Sequence, residues 1–413
     1  GELRADFEAL LRCLASGRIL AAEQLQRERA RGDGAHLEGA LADKQLAARI
    51  LSAAGQLAWS ATRRVSRCAA RHADTVREEK LYVVGGWSSS ASSSGRSSLF
   101  EKQLRSVEVL DLGSGAWQVG SAMPAKRAGH AGAALGGFLY VFGGFPPVSR
   151  SAMRYSPASG QWNTIESMSA PRLRAQAVAD ANRIYLFGGM EAWYETGAFK
   201  AKVLSSMERY CPDSRRGSWE SFPDMPKQRW GFGAAPFHDA IVLCGGVDVP
   251  LGSDLLSVED KARFLELAPR RLLDLVRSAD TFSPTHRTWE PLPQMTMMHP
   301  APVVFQFRGK LYVGGGWPAT DFAPSTVEVY DPASQMWSGT SMAEPRSLLF
   351  AAVAHGERLF IIGGRCKSSD VDAHSGAECL DLASGRWKAL GHMSVGRASM
   401  FACVIANGPT AAV

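Results

Sequence analysis

Six times along this chain a methionine is followed four residues later by a basic side chain: Met123 and Arg127, Met168 and Arg172, Met225 and Arg229, Met295 and His299, Met342 and Arg346, Met393 and Arg397. A guanidinium presents a planar fork of donors that matches a carboxylate or a phosphate. Gathered at one rim, five arginines and a histidine would attract an acidic or phosphorylated segment. The competing use of the same groups is internal: each arginine braces neighbouring elements by bonding to loop carbonyls. Catalysis would require convergent groups of another kind. There is no H-E-x-x-H spacing, no cysteine cluster, no G-x-S-x-G and no phosphate loop. No catalytic residue, metal or cofactor is expected.

Aromatic and other large residues follow a series of glycine pairs, at Trp87, Phe145, Met190, Val247, Trp317 and Arg365. Trp, Tyr and Arg carry much of the energy of protein interfaces. Trp87, Phe145, Trp317 and Arg365, joined by Trp193, Tyr194 and Trp230, therefore extend the candidate partner-binding set beyond the six basic residues. Five acids lie two residues before an aromatic or leucine landmark, at Glu108, Glu208, Asp280, Glu328 and Glu378, with Met153 in the remaining copy. Their periodicity marks them as structural, as acceptors for the amides of the glycine loops.

The elements that must position these groups recur with a fixed interval. Trp117, Trp162, Trp219, Trp289 and Trp337 each stand 26 residues before the first glycine of a pair, at Gly143, Gly188, Gly245, Gly315 and Gly363. Such a repeat signals one supersecondary unit used again and again. A sixth pair, Gly85 and Gly86, opens the array, and Trp387 has no pair after it. These halves form one unit split between the two ends of the array. Each pair is preceded by a short apolar run, such as Leu139 to Phe142, without the alternation of a half-exposed strand, so both faces are covered. Alternating segments, tight turns and the tryptophan position bring the count to four antiparallel strands per unit. Six such sheets satisfy one another by packing around a ring, a six-bladed β-propeller over residues 78–407. The segment Arg397 to Ile405 supplies the closing strand.

In this meander the loop after each glycine pair and the loop carrying each basic residue emerge on one face. The first class varies in length, with 18 residues from Gly144 to the next tryptophan and 43 from Gly246. Function is expected there. The longest of these loops has a helix-capping start at Ser257 to Asp260, which predicts a helical insertion over 251–276 in the fourth blade.

Residues 1–77 contain no proline and are rich in Ala, Leu, Arg and Glu, which predicts a small α-helical region, a hairpin or the remnant of a larger helical domain. The formal net charge of +6 is scattered among acids, so neither nucleic acid nor a membrane surface is an expected partner. Seven unpaired-looking cysteines and the absence of a long apolar run suit a cytoplasmic protein.

The segments YVFGGF, SAMRYSPASGQW and MSAPRLR in one unit, and YVGGGW, TVEVYDPASQMW and MAEPR in another, resemble the kelch-repeat family. The resemblance implies a propeller that binds a protein or peptide ligand, in some members an acidic one held by arginines of matching loops. It also implies candidate roles as a substrate receptor of cullin-type ubiquitin ligases, with cullin-3 as a partner, or as an actin-binding scaffold. Kelch-propeller oxidases and sugar mutarotases make an enzyme the least expected outcome.

Overall fold

The computed structural model describes residues 78–88, 103–145, 147–195, 198–212, 217–248, 276–299, 301–315, 326–341, 350–364 and 373–407. The helical region expected over 1–77, and all of the expected 251–276 insertion except Val276, lie outside the described residues. The chain divides into two compact units, Leu81–Leu110 with Gly115–Ile405, and Gly1–Lys80 with Asp111–Ser114 and Ala406–Val413. In the second, the Asp111 carboxylate accepts from the Gly113 and Ser114 amides and from the Ser114 hydroxyl, which closes a tight turn.

The larger unit is an all-β propeller of six four-stranded sheets. Blade 1 has the strand order Phe401–Asn407, Glu78–Val84, Val107–Asp111, Trp117–Gly120, so the C-terminal strand is its innermost member, as the split repeat requires. Blade 2 runs Ala131–Leu135, Phe138–Phe142, Ala152–Ser156, Gln161–Ile165. Blade 3 runs Gln176–Asp180, Arg183–Phe187, Met207–Cys211, Ser218–Phe222, and carries an extra hairpin of Met190–Glu195 and Ala198–Val203. Blades 4 to 6 repeat the order from Gly233–Phe237, Val303–Phe307 and Ala351–His355 outward to Thr288–Pro291, Met336–Ser341 and Arg386–His392.

The unalternated runs have the expected cause. In Phe138–Phe142, Leu139 and Val141 pack towards blade 1 while Tyr140 and Phe142 pack towards blade 3, so successive side chains fill two different interfaces. Each fully buried residue of this kind contributes about 1.5–3 kcal/mol. The loop methionines plug these interfaces: Met123 between blades 1 and 2, Met168 between 2 and 3, Met225 between 3 and 4, Met295 between 4 and 5. An unbranched thioether suits such a wedge-shaped gap.

The repeated tryptophans strap each blade to the one before it. The indole Nε1 donates to a carbonyl at the end of the preceding outer strand, Trp162 to Ser121, Trp219 to Glu166, Trp289 to Pro223 and Trp337 to Pro293, at 2.8–3.4 Å. Trp117 donates to Leu390 at 2.8 Å and so joins the first blade to the sixth. The glycine pairs take φ values that other residues resist, and a Cβ on Gly143 would stand 2.2 Å from the Arg172 carbonyl oxygen. There the fixed backbone contact between neighbouring blades excludes a side chain.

Candidate functional site: the loop face and the axial cavity

Pairing between the two loop classes fixes the face on which they meet. The residue after a basic position bridges the residue after a glycine pair: Ala128 with Phe145, Leu173 with Met190, Trp230 with Val247, Ala398 with Trp87. Inside that junction lie the basic groups themselves. Arg127, Arg172, Arg229, His299 and Arg397 are between 0% and 7% exposed. Each donates to the carbonyl of a first glycine: Arg127 to Gly143 at 2.6 Å, Arg172 to Gly188 at 2.8 Å, Arg229 to Gly245 at 3.3 Å, His299 Nδ1 to Gly315 at 3.1 Å, Arg397 to Gly85 at 3.2 Å. The expected cationic rim is therefore a buried ring of braces, the internal use of the same chemistry. Arg346 lies outside the described residues.

Four of the braces are completed by acids. Arg172 meets Glu208 at 2.9 Å, Arg229 meets Asp280, His299 Nε2 meets Glu328 at 2.9 Å and Arg397 meets Glu108 at 2.6 Å. Three of these carboxylates also accept amides, which come from the methionine loops where the glycine loops were expected. Glu208 takes the Ser169 amide, Glu328 those of Thr296 and Met297, and Glu108 those of Ser394 and Val395. One carboxylate thus ties a crossing loop by side chain and main chain together. Burial works to raise the Glu328 pKa, but hydrogen bonds from His299, Thr296 and Met297 outweigh it and hold the carboxyl below its usual range. Burial lowers the pKa of Arg172 and Arg397, with Glu208 and Glu108 opposing it.

Blade 2 departs from this plan. Met153 stands where the acid should be, so Arg127 keeps its Gly143 and Ser151 partners without a counter-charge, and its Nε, like that of Arg229, has no partner. Three residues on, His130 occupies a position that other blades fill with Ala175, Phe232, Pro302 and Met400. It is 7% exposed, and neither ring nitrogen has a hydrogen-bond partner. Burial, with Arg127 adding to it, pushes its pKa down to about 3, which leaves the ring neutral.

A second ring surrounds the axis. Two residues after each described brace stand Gly129, Arg174, Gly231, Ala301 and Ser399, all with φ between 51° and 61°. Main-chain bonds link part of it, with the Gly129 amide donating to Ser399, Arg174 to Gly129 and Gly231 to Arg174, at 2.7–3.2 Å. The sequence offers no shared residue type at these positions; only their spacing from the braces marks them. They frame a cavity of about 280 Å³ lined by the innermost strands. Burial pushes the Arg174 pKa down to about 10, and among the described residues no carboxylate pairs with it. Its guanidinium stands 5.7 Å from the Trp230 ring.

The aromatic candidates divide. Trp230 is buried with Met190, Val203, Val247 and Val276, beneath the base of the blade 3 hairpin, and is a packing residue where surface contact was expected. Trp87 and Phe145 are half-buried. Trp193 is exposed on that hairpin, opposite Lys200. Tyr194 pairs with Phe199 in its backbone, and its side chain lies outside the described residues, as do Trp317 and Arg365. Three exposed residues escaped the sequence reading: Met297, Met298 and Val395, all in the brace-bearing loops. A methionine doublet in one such loop was the signal available.

A six-bladed ring whose blades share a glycine pair, a brace and a tryptophan strap defines a repeat propeller. The chain matches the Kelch motif over residues 68–124, 126–169, 171–226 and 346–394. It is 25% identical over 277 residues to Kelch-like protein 36 of Bos taurus, covering 56% of this chain and 43% of that protein. It is 24% identical to Kelch-like protein 38 of Rattus norvegicus, covering 71% and 46%. It is also 24% identical to Kelch repeat and BTB domain-containing protein 13 of Homo sapiens, covering 63% and 52%. The chain belongs to the kelch-repeat family and spans about half the length of these relatives. The solved structure of YjhT shares the fold at a TM-score of 0.51 with 15% identity, covering 67% of this chain and 87% of that one.

Proposed function

We propose that the propeller is a protein-interaction module whose partner docks on the loop face, as in substrate receptors of cullin-type ubiquitin ligases. The observation that carries this reading is the placement of exposed apolar side chains. Among the described residues six large hydrophobics are exposed, and four of them, Trp193, Met297, Met298 and Val395, lie in loops of this one face. The other two, Val119 and Met336, sit on outer strands. Methionines suit a surface that adapts to a ligand, and an exposed tryptophan suits an anchor. The buried braces hold the loops without contributing their charge to the surface, so the contact is expected to be led by apolar groups and by exposed Lys200 and Lys202. The human relative carries, by its name, a BTB domain beside its kelch repeats. A domain of that sort in the full-length gene product would supply cullin-3 binding.

The test is affinity purification of the full-length gene product, with and without the changes Trp193→Ala, Met297→Ser and Met298→Ser. Cullin-3 is expected with both forms, and the substrate proteins only with the parent. If the triple variant retains every captured protein, the loop-face assignment is wrong. Cosedimentation with actin filaments and no cullin-3 would favour the scaffold role instead.

A further inference from the structure

We propose that the junction between blades 5 and 6 is a binding site for a small uncharged aromatic molecule, whose ring system packs against Trp387. A cavity of about 390 Å³ opens there. Phe305, Tyr312 and Gly314 line it from blade 5, and Leu359, Leu380 and Trp387 from blade 6. No charged side chain is among the described residues that line it. Gly385, also in the lining, is exposed, so the cavity reaches the surface. An apolar cavity of roughly 150 Å³ takes up benzene, so this one admits about two or three fused rings.

Two other junctions show what belongs in such a space. Between blades 2 and 3 the strapping Trp219 packs against two rings, Phe142 at 5.5 Å and Tyr210 at 5.1 Å between centroids. Between blades 3 and 4, Trp289 packs against Phe187 at 6.1 Å and Phe282 at 4.9 Å. Trp387 is offered neither ring. Gly314 stands where Phe142 and Phe187 do, directly before its glycine pair, a place the remaining blades fill with Val84, Cys244 and Ile362. Leu380 stands where Tyr210 and Phe282 do, opposite the strapping tryptophan in its strand pair. Both replacements line the cavity. The strap is missing as well: the other five indoles donate to a neighbouring blade, whereas Trp387 has no such acceptor among the described residues. Native interiors keep few voids larger than a water molecule, because atoms that face a void lose their dispersion partners. On the blade 5 side the wall is flat, with the Phe305 and Tyr312 rings stacked at 5.1 Å and 9° between their planes. A planar ring system in this cavity would restore the aromatic contact that Phe142 and Phe187 supply to the other straps.

A junction closed by the chain's own side chains is the competing account, and it would leave no room for a probe. The full chain is titrated with 2-naphthol by calorimetry at neutral pH and melted in its presence, with decahydro-2-naphthol, the saturated molecule of the same skeleton, in parallel. One 2-naphthol per chain is expected to bind saturably and to raise the melting temperature by about 2 °C or more, and the saturated molecule to bind at least tenfold more weakly. Gly314→Phe copies Phe142 and should abolish the binding while the variant still melts cooperatively. Gly314 is not among the glycines with positive φ, and a Cβ there meets Val327 Cγ2 at 3.2 Å, a contact that a side chain can relieve. Should that variant fail to fold, Val303→Phe, which fills the cavity from the residue paired with Gly314, serves in its place. No saturable binding, equal binding of the saturated molecule, or binding unchanged in the folded variant overturns the proposal. Trp193, Met297 and Met298 take no part in this cavity, so the loop-face reading stands or falls separately.

Discussion

Blades 2 and 3 are built from the same parts and differ at one junction. In blade 3, Arg172 gives Nε to Glu208 and its remaining donors to Gly188 and to the Ser206 carbonyl and hydroxyl, so the buried cation is fully engaged. In blade 2, Arg127 reaches only Gly143 and Ser151, and burial alone lowers its pKa. Both arginines hold a crossing loop against a glycine carbonyl. The carboxylate is therefore not what forms the brace; it neutralises the brace and adds loop amides to it. Where it is missing, as in blade 2, the arginine keeps its glycine and serine partners but has no counter-charge.

Transplanting the blade 2 arrangement gives the largest expected effect. Glu208→Met puts the Met153 solution into blade 3 and leaves Arg172 buried without its counter-charge. Removing one partner of a buried pair costs about 3–5 kcal/mol, measurable by denaturant unfolding. A loss under about 1 kcal/mol would show that the acid is dispensable everywhere and that blade 2 is not special.

The brace to blade 5 sharpens the comparison through pH. Because the Glu328 carboxyl is held below its usual range, its contribution is present above the unfolded pKa of about 4.3 and is lost as pH falls through the folded value. The parent should lose stability between about pH 5 and pH 3 more steeply than Glu328→Gln, which cannot titrate. Parallel profiles would mean that other carboxylates dominate acid unfolding.

Arg127→Ala is expected to cost about 1–3 kcal/mol, since it frees the Gly143 carbonyl and the Ser151 hydroxyl but strands no carboxylate. That is less than Arg172→Ala, which would leave Glu208 buried alone. Equal losses at the two positions would erase the distinction between the blades.

The ring itself was legible in the sequence because its spacing is set by geometry. The crossing from a strapping tryptophan to the next glycine pair passes one loop and two strands of nearly fixed length, so 26 residues recur in five copies. A bond from each arginine to a loop carbonyl was one of the two uses the sequence offered, and Met153 stood out among the acids, but the pairing of acid with arginine was not foreseen. The burial of the arginines was not legible either, because a Met-x-x-x-Arg segment has the same letters whether the arginine points into the junction or out of it. Only the packed position of Met168 or Met225, one turn of loop earlier, decides that. The axial ring was hidden for another reason. Gly129, Arg174, Gly231, Ala301 and Ser399 share a backbone conformation and no side-chain type, so no pattern of residue classes announces them.

The smallest expected effect on stability is also the one that best divides the buried ring from the open face. Trp193 stands 45% exposed on the blade 3 hairpin with Lys200 across from it, and the residues that anchor the hairpin, Met190 and Val203, are buried on the opposite side of the strand pair. Trp193→Ala should therefore change unfolding free energy by no more than about 0.5 kcal/mol. An anchoring tryptophan at an interface is worth about 2 kcal/mol or more, which corresponds to a loss of partner affinity of roughly thirtyfold. Stability lost without affinity would make the tryptophan part of the fold's packing, and would move the contact surface to Met297, Met298 and Val395 alone.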